Sequence, residues 1–477
     1  MSRVGRRLRG WMGAAGEVRR VVRRLGVWTG VAGWMRLRRV GAFCGRGGAV
    51  AGTVVALGMV VALGLALAPN GRAAGPLPDF GAGGAGFAQV LGPRVFEFPR
   101  DHGAHPEYRQ EWWYFTGNLQ SDVGERFGFE LTFFRYGLVG QSAGAAARLG
   151  AEAGGGAGMK AAGAGLDARG DAESAWRARQ IYLAHFAVTD VGRQRFRSAE
   201  KLSRGAVGLA GAENPPLRVW VDDWVLGEVG VSAGSPGVVT GSGGQDQGRW
   251  TLHAAESGYE LTLDAEALEA PVLNGDRGFS AKSSTPGSAS YYYSIPRVAV
   301  HGRLIRDGKS IDVHGLAWMD REWGSGSLEQ QGWDWFALQL RDGSSLMFYS
   351  LRNRDDSRDP HSAGTWVSPT GAARPLAFGD VQIDVLDYWK NPRGERYPAR
   401  WRVKVPAVGV DVEVRPVLAD QELTTAPRYW EGAVDVVAAG GGPARDASTA
   451  EGRNGGNAAP QKDSGRGYVE LVGYAAQ

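Results

Sequence analysis

The sequence predicts an all-β protein of two tandem β domains that follow an N-terminal signal or anchor segment. Three observations lead there: an aromatic hairpin that occurs twice, strand patterns separated by Asp/Gly turns with almost no helical periodicity, and a basic-then-apolar beginning. The first hairpin runs Glu111-Trp112-Trp113-Tyr114-Phe115-Thr116-Gly117, then a polar turn (Gln120–Gly124), then an apolar run from Phe127 to Arg135. Side chains of a strand alternate between faces, so Trp113 and Phe115 share one and Trp112 and Tyr114 the other. Large aromatics on both faces imply a barrel wall with a lumen inside and something packed outside. The hairpin recurs as Trp333-Asp334-Trp335-Phe336, the turn Arg341–Ser344, and a run from Leu346 through Tyr349 to Arg352. In each copy a Leu follows the Phe by four residues, and the second strand closes on Arg. A separation of about 220 residues is too long for a solenoid repeat and indicates a duplicated domain.

The N-terminal stretch is unlike the rest. The first 48 residues carry a dozen Arg against one acid, Glu17, so the net charge of +4 hides a body of roughly −8. A nucleic-acid role read from overall charge is thereby excluded. Ala49 to Ala68 form a nearly continuous apolar run, followed by small residues at Ala66-Leu67-Ala68 and Arg72-Ala73-Ala74. That layout predicts a cleaved export signal over residues 1–75, with a retained membrane anchor as the alternative; either way the body is exported and touches membrane only through this segment. The lone Cys44 precedes the apolar run, so the body has neither a disulfide nor a Cys metal site.

A Gly/Pro/Ala linker (76–95) leads into the first domain, placed at 96–297 with a Gly/Ala-rich insertion at 137–173. Strands are expected at Gln180–Asp190, Leu217–Val225, Trp250–Ala254 and Tyr259–Asp264, with a short helix near Gln194–Ser203. The second domain, 298–477, is expected to open with Val298–Ile305 and Ser310–Met319 around the turn at Asp307-Gly308. It carries a low-complexity loop at 438–465 before a last strand, Gly467–Tyr474. Closure of such strands into barrels protects their edges. At 477 residues and 43% hydrophobic content, the chain can bury two cores.

Glu111–Gly117, Tyr182–Asp190, Tyr291–Arg297, Ala317–Gly324, Gly332–Phe336, Tyr429–Gly432 and Gly467–Tyr474 together resemble the AttH-like family, which includes carotenoid 1,2-hydratases. The resemblance covers nearly everything from Phe96 onward except the two Gly-rich insertions. It implies two tandem lipocalin-like barrels and no cofactor. Within such a family some members resemble hydratases of long isoprenoids, fungal relatives act as pericyclases, and many bacterial members look like exported proteins found beside ABC-type permeases. Fold alone does not choose among these.

The chemistry-bearing candidates cluster around Trp318-Met319-Asp320-Arg321-Glu322-Trp323. Continued alternation puts Asp312, His314, Leu316, Trp318 and Asp320 on one face. An acid that protonates an alkene, aromatic faces that shelter the cation and a base that activates water suit hydration. Asp320, Glu322 and His314 are the catalytic candidates. The competing reading makes Asp320, Arg321 and Glu322 an ion-pair network at a barrel rim, with Trp318 and Trp323 as core. Where the hydratase branch has a His, this chain has Arg321, which cannot serve as a general acid. Trp112, Trp113, Tyr114, His185, Trp318, Trp323, Trp333, Trp335 and Tyr349 are candidates to line an apolar pocket, although a hydrogen-bonded structural role is the favoured reading of His185. His102 and His105 near Glu107 offer a weak metal pattern, and no metal is assigned. There is no Gly-x-Ser-x-Gly elbow before a helix, no His-Glu-x-x-His and no phosphate loop.

Three functions follow from these residues. The first expectation is an exported carrier of an apolar small molecule or lipid, serving an ABC-type transporter. The second is a cofactor-free hydratase or related acid–base lyase, and the third a structural scaffold for a protein partner. The enzyme needs a buried carboxyl facing the pocket, the carrier needs the pocket alone, and the scaffold needs neither.

Overall fold

Aromatic and β-branched alternation produces strands throughout. The computed structural model describes residues 86–140, 178–229, 248–256, 258–439 and 463–475. These all fall in one compact unit, Arg72–Gln477; the other, Met1–Gly71, lies outside the described residues, as do the segment expected to direct export and most of both Gly-rich insertions. Among the described residues the only helical elements are three single 3-10 turns, and no helix is long and apolar enough to cross a membrane.

The first sheet is built from β1 (Gln110–Ser121), β2 (Arg126–Gly137), β3 (Gln180–Asp190), β4 (Arg195–Arg204), β5 (Ala210–Glu213), β6 (Arg218–Val221) and β7 (Trp224–Glu228). It continues through β8 (Arg249–Glu256), β9 (Tyr259–Ala267), β10 (Val272–Leu273), β11 (Phe279–Ala281), β12 (Ala289–Arg306) and β13 (Lys309–Gly324). The second contains β14 (Gly332–Leu340), β15 (Ser345–Arg352), β16 (Ala363–Val367), β17 (Ala373–Ala377) and β18 (Gln382–Lys390). Its remaining strands are β19 (Arg396–Val405), β20 (Val410–Pro416), β21 (Glu422–Leu423), β22 (Tyr429–Ala438) and β23 (Asp463–Val472).

The first sheet runs β4-β3-β2-β1-β13-β12-β9-β8-β7-β6-β5 and curls until β5 and β6 approach β3 and β4. The second runs β17-β16-β15-β14-β23-β22-β20-β19-β18. The protein is thus all-β, with two curled, barrel-like sheets. Each has its own interior: Trp113, Phe115, Trp250 and Trp323 pack inside the first, and Phe336, Trp401 and Trp430 inside the second. A third apolar layer, including Tyr114, Tyr292, Trp318, Trp335 and Tyr349, lies where the outer faces of the two sheets meet.

Two expectations are corrected here. The hairpin 298–319 does not open the second domain. It belongs to β12 and β13, which close the first sheet, and the change of sheet comes between Gly324 and Gly332. Pro296, next to the expected boundary, lies inside β12 where its pairing with β13 shifts between Ile295 and Val298. A bulge accommodates a residue that has no N–H to offer the ladder. The stretch near Gln194–Ser203 is strand β4 and not a helix. It is an edge strand with charged side chains alternating outward, and it lacks the apolar stripe a packed helix requires.

Candidate active site between the two sheets

The duplicated hairpin sets up the site. Tyr114 on β1 and Trp335 on β14 hold corresponding places in the two copies. Both face outward from their barrels and meet edge to face, ring centroids 5.2 Å apart. Phe115 and Phe336 point inward on either side. The same geometry carries over to the neighbouring strands. Asp320 on β13 is opposite Tyr114, and Glu470 on β23 is opposite Trp335. Each sheet therefore delivers one carboxyl to an equivalent point of the shared face. The cavity between them is about 360 Å³, within the usual range for small-molecule sites.

Asp320 is 4% exposed and held from three sides. The Tyr292 hydroxyl donates to Oδ2 at 2.6 Å; the Ser294 hydroxyl (2.6 Å) and Trp318 Nε1 (2.7 Å) donate to Oδ1. Burial pushes its pKa up to about 7: the three donors only partly offset the loss of water, and the nearby Glu322 adds to the rise. Glu322 accepts from the Ser290 hydroxyl and forms an ion pair with Lys282 Nζ at 3.1 Å. The Lys282 ammonium also sits 4.0 Å from the centre of the Tyr349 ring. Burial works against that cation, but Glu322 and Tyr349 outweigh it and raise its pKa.

The far wall is acidic as well. Glu470 accepts from Trp333 Nε1 at 3.1 Å, and burial with neighbouring carboxylates raises its pKa to about 8. Glu431, opposite Glu470 in the β22–β23 ladder, accepts from the Tyr114 hydroxyl, and burial beside Glu130 and Glu470 holds its pKa well above the carboxylate range. His185 Nδ1 lies 2.6 Å from the Tyr429 hydroxyl, and both side chains line the cavity.

The sequence-derived candidates separate clearly. Asp320, Glu322, Trp112, Tyr114, His185, Trp333, Trp335 and Tyr349 line the cavity. Trp318 stands behind Asp320 as a donor. Trp113 and Trp323 do not reach it, because their strand positions point into the first barrel. His314 shares the Asp320 face but lies six residues away, about 20 Å along a strand. Its side chain is 60% exposed beside Asp122, so it is not part of the site. Asp320, Arg321 and Glu322 do not form one ion-pair network either. Arg321 points into the barrel, 3.2 Å from Glu111 and stacked over Trp113 at 4.0 Å. His105 is bound to Glu111 and stacks on Trp323, and His102 meets Tyr293, so the two histidines do not converge. Among the described residues no group of three or more His, Cys, Asp or Glu is arranged to hold a metal.

Lys282, Tyr292, Tyr429, Glu431 and Glu470 are site residues that sequence reasoning missed. Tyr292, Tyr429 and Glu431 lie in motifs already noted for their aromatics, and a mid-strand Glu between apolar neighbours was the available signal.

Comparison with known proteins agrees with this architecture. The AttH-like family model matches residues 89–153 and 159–474. A solved structure described as an AttH protein from Nitrosomonas europaea is 29% identical, covers 82% of this chain and all of its own, and superposes with a TM-score of 0.62. Kievitone hydratase from Nectria haematococca shares the fold at 11% identity and a TM-score of 0.54, over 82% of this chain and 97% of that one. The dehydratase asqC of Emericella nidulans is 24% identical over 174 residues, 35% of this chain. The match spans about half (49%) of that curated relative. With the family model matched along nearly the whole described body, the chain belongs to the AttH-like family.

Proposed function

We propose that the cavity between the sheets adds water to, or removes it from, an apolar substrate such as an isoprenoid or lipid by acid–base chemistry without a cofactor. One observation carries this reading: Asp320 is a buried carboxyl, facing an aromatic cavity, whose pKa of about 7 lets it both give and take a proton near neutrality. In hydration, protonated Asp320 donates to an alkene carbon. The aromatic rings of Trp112, Tyr114 and Trp335 face the developing cation, and water adds while a base takes its proton. Dehydration is the reverse. The opposite wall offers Glu431 and Glu470 for the oxygen side, and the Lys282–Glu322 pair marks a polar end for a carbonyl or hydroxyl.

This order differs from the expectation that put a carrier first. A carrier has no need of a carboxyl kept protonated in its pocket, because burying one costs stability. The scaffold reading asks for no cavity at all. The names of a hydratase and a dehydratase among similar proteins support the enzyme reading. The carrier is the second reading, favoured by the apolar wall, and it brings with it export of the body and an ABC-type transporter partner.

The test is mass spectrometry of apolar molecules extracted from protein purified from its own host, for wild type and Asp320→Asn. A pair differing by one water, with product in wild type and precursor in the variant, is expected. One identical ligand in both would replace the enzyme with the carrier. With a substrate in hand, the variant should lose about 10²–10⁴-fold in kcat.

A further inference from the structure

Along one wall of the cavity, a line of titratable groups runs from the surface to Glu431. The Glu200 side chain on β4 is 27% exposed; its Oε2 accepts the Ala426 N–H at 2.9 Å and lies 3.3 Å from His185 Nε2. His185, fully buried on β3, reaches the Tyr429 hydroxyl of the other sheet through Nδ1. That hydroxyl lies 3.1 Å from Glu130 Oε1. The Glu130 and Glu431 carboxyls, both buried, are in hydrogen-bonding contact with each other, and Tyr114 closes the line at Glu431.

Two details give this line a direction. The second oxygens of Glu130 and Glu431 are sealed from solvent and meet no N–H or O–H donor. Two carboxyls in contact attract only if one holds a proton, so the pair shares one. Tyr429 has a single hydroxyl proton but two neighbours that can receive it. Either His185 Nδ1–H donates to Tyr429 and Tyr429 donates to Glu130, or Glu130 donates to Tyr429 and Tyr429 donates to Nδ1. Passing from the first pattern to the second moves one proton from histidine to Glu130 with no heavy atom displaced.

We propose that Glu200, His185, Tyr429 and Glu130 form a proton relay that connects solvent to Glu431, making Glu431 the acid–base group on the oxygen side of the reaction. Its use in turnover rests on the water-adding or water-removing function argued above. In dehydration Glu431 gives its proton to the leaving hydroxyl, and the C–O bond breaks with its electrons on the departing water. Asp320 takes the C–H proton, whose electron pair becomes the new double bond. Glu431 is then one proton short. Glu130 resupplies it, Tyr429 resupplies Glu130, His185 resupplies Tyr429, and Glu200 returns a proton from water. Asp320 releases its proton to water entering the emptied cavity, so the cycle balances. Glu470, Tyr114 and Tyr468 also face the pair.

The experiment follows the shared proton by infrared spectroscopy of the full chain transferred into D₂O. At neutral pH a protonated-carboxyl C=O band that is lost in Glu431→Gln should shift on deuteration within the mixing time. In His185→Gln and Glu200→Gln, with near-UV circular dichroism unchanged, that shift should slow by at least about tenfold, since exchange is then left to water reaching Glu431 through the cavity and to local opening. Exchange at the wild-type rate in His185→Gln, or no protonated band lost in Glu431→Gln, overturns the relay. The readout needs no turnover, so its failure is distinct from failure of the Asp320→Asn test.

Discussion

Glu111 shows what a carboxylate does when it is buried for structure and not for chemistry. It is fully buried inside the first barrel, where Arg135 Nε donates to it, Arg321 approaches at 3.2 Å, and the His105 N–H donates at 3.0 Å. Burial alone would raise its pKa, but Arg135, His105 and Arg321 overcome that and hold it far below the carboxylate range. Glu111→Gln leaves two buried guanidinium groups without their counter-charge, and should cost about 3–5 kcal/mol in urea denaturation. Asp320 is the opposite case. Folded, it keeps its proton up to about pH 7, whereas unfolded it loses it near 4, so it subtracts from stability as pH rises through that window. Asp320→Asn retains an oxygen for Ser294 and Trp318 and turns its amide to the Tyr292 hydroxyl. The variant should therefore be about 1–3 kcal/mol more stable than wild type at pH 8, with the advantage vanishing towards pH 4. A denaturation series across that range checks it; equal stabilities at all pH values would mean Asp320 is not the buried neutral acid described. Asp320 was legible in sequence because it alternates with Trp318 in one strand. Glu431, Glu470 and Lys282 were not: the two glutamates become site residues only through ladders joining segments far apart in the chain, and Lys282 reaches the site from the loop after β11 through its ion pair with Glu322.

At the level of elements, the close approach of β2 to the second sheet shapes the cavity's flank. A Cβ added to Gly128 would stand 2.7 Å from the Ala433 Cβ and 2.8 Å from the Tyr468 hydroxyl, so the two sheets touch across a missing side chain. Gly128→Ala should push them apart locally and destabilise by about 1–3 kcal/mol, an overpacking cost measurable by thermal or urea unfolding. No loss would mean that Tyr468 swings aside freely. The alternation of Trp112 and Tyr114 against Trp113 and Phe115 was readable from periodicity alone, including the implication of a layer outside the barrel wall. Which strands closed each sheet was not. β12 runs 18 residues, pairing with β10 and β11 along its first half and β9 along its second, and its internal proline lies next to the expected domain boundary. β4 lost its strand signature because an edge strand displays charge where a central one displays apolar side chains.

For the whole molecule, the consequence of duplication is that the site belongs to neither barrel. Corresponding strands bring Asp320 with Tyr292 from one sheet, and Glu470 with Tyr429 from the other, to a common face. Polar contacts cross the same face: Asn118 Nδ2 donates to the Gly467 carbonyl at 3.1 Å, the Thr189 hydroxyl to Gln421 at 2.8 Å, and Gln339 Nε2 to the Ala317 carbonyl at 2.9 Å. Separating the sheets would expose the aromatic layer between them and leave buried carboxyls facing water on one side and each other's absence on the other. The two sheets should therefore unfold together despite having separate interiors. Trp401→Ala, a fully buried truncation inside the second barrel only, should cost about 3–5 kcal/mol. Hydrogen exchange followed by mass spectrometry should then show faster opening in β1 and β2 as well as in β14 and β15, by similar factors. Faster opening confined to the second sheet would mean that the barrels are independent domains, and the cavity would then be a gap that forms only when they dock.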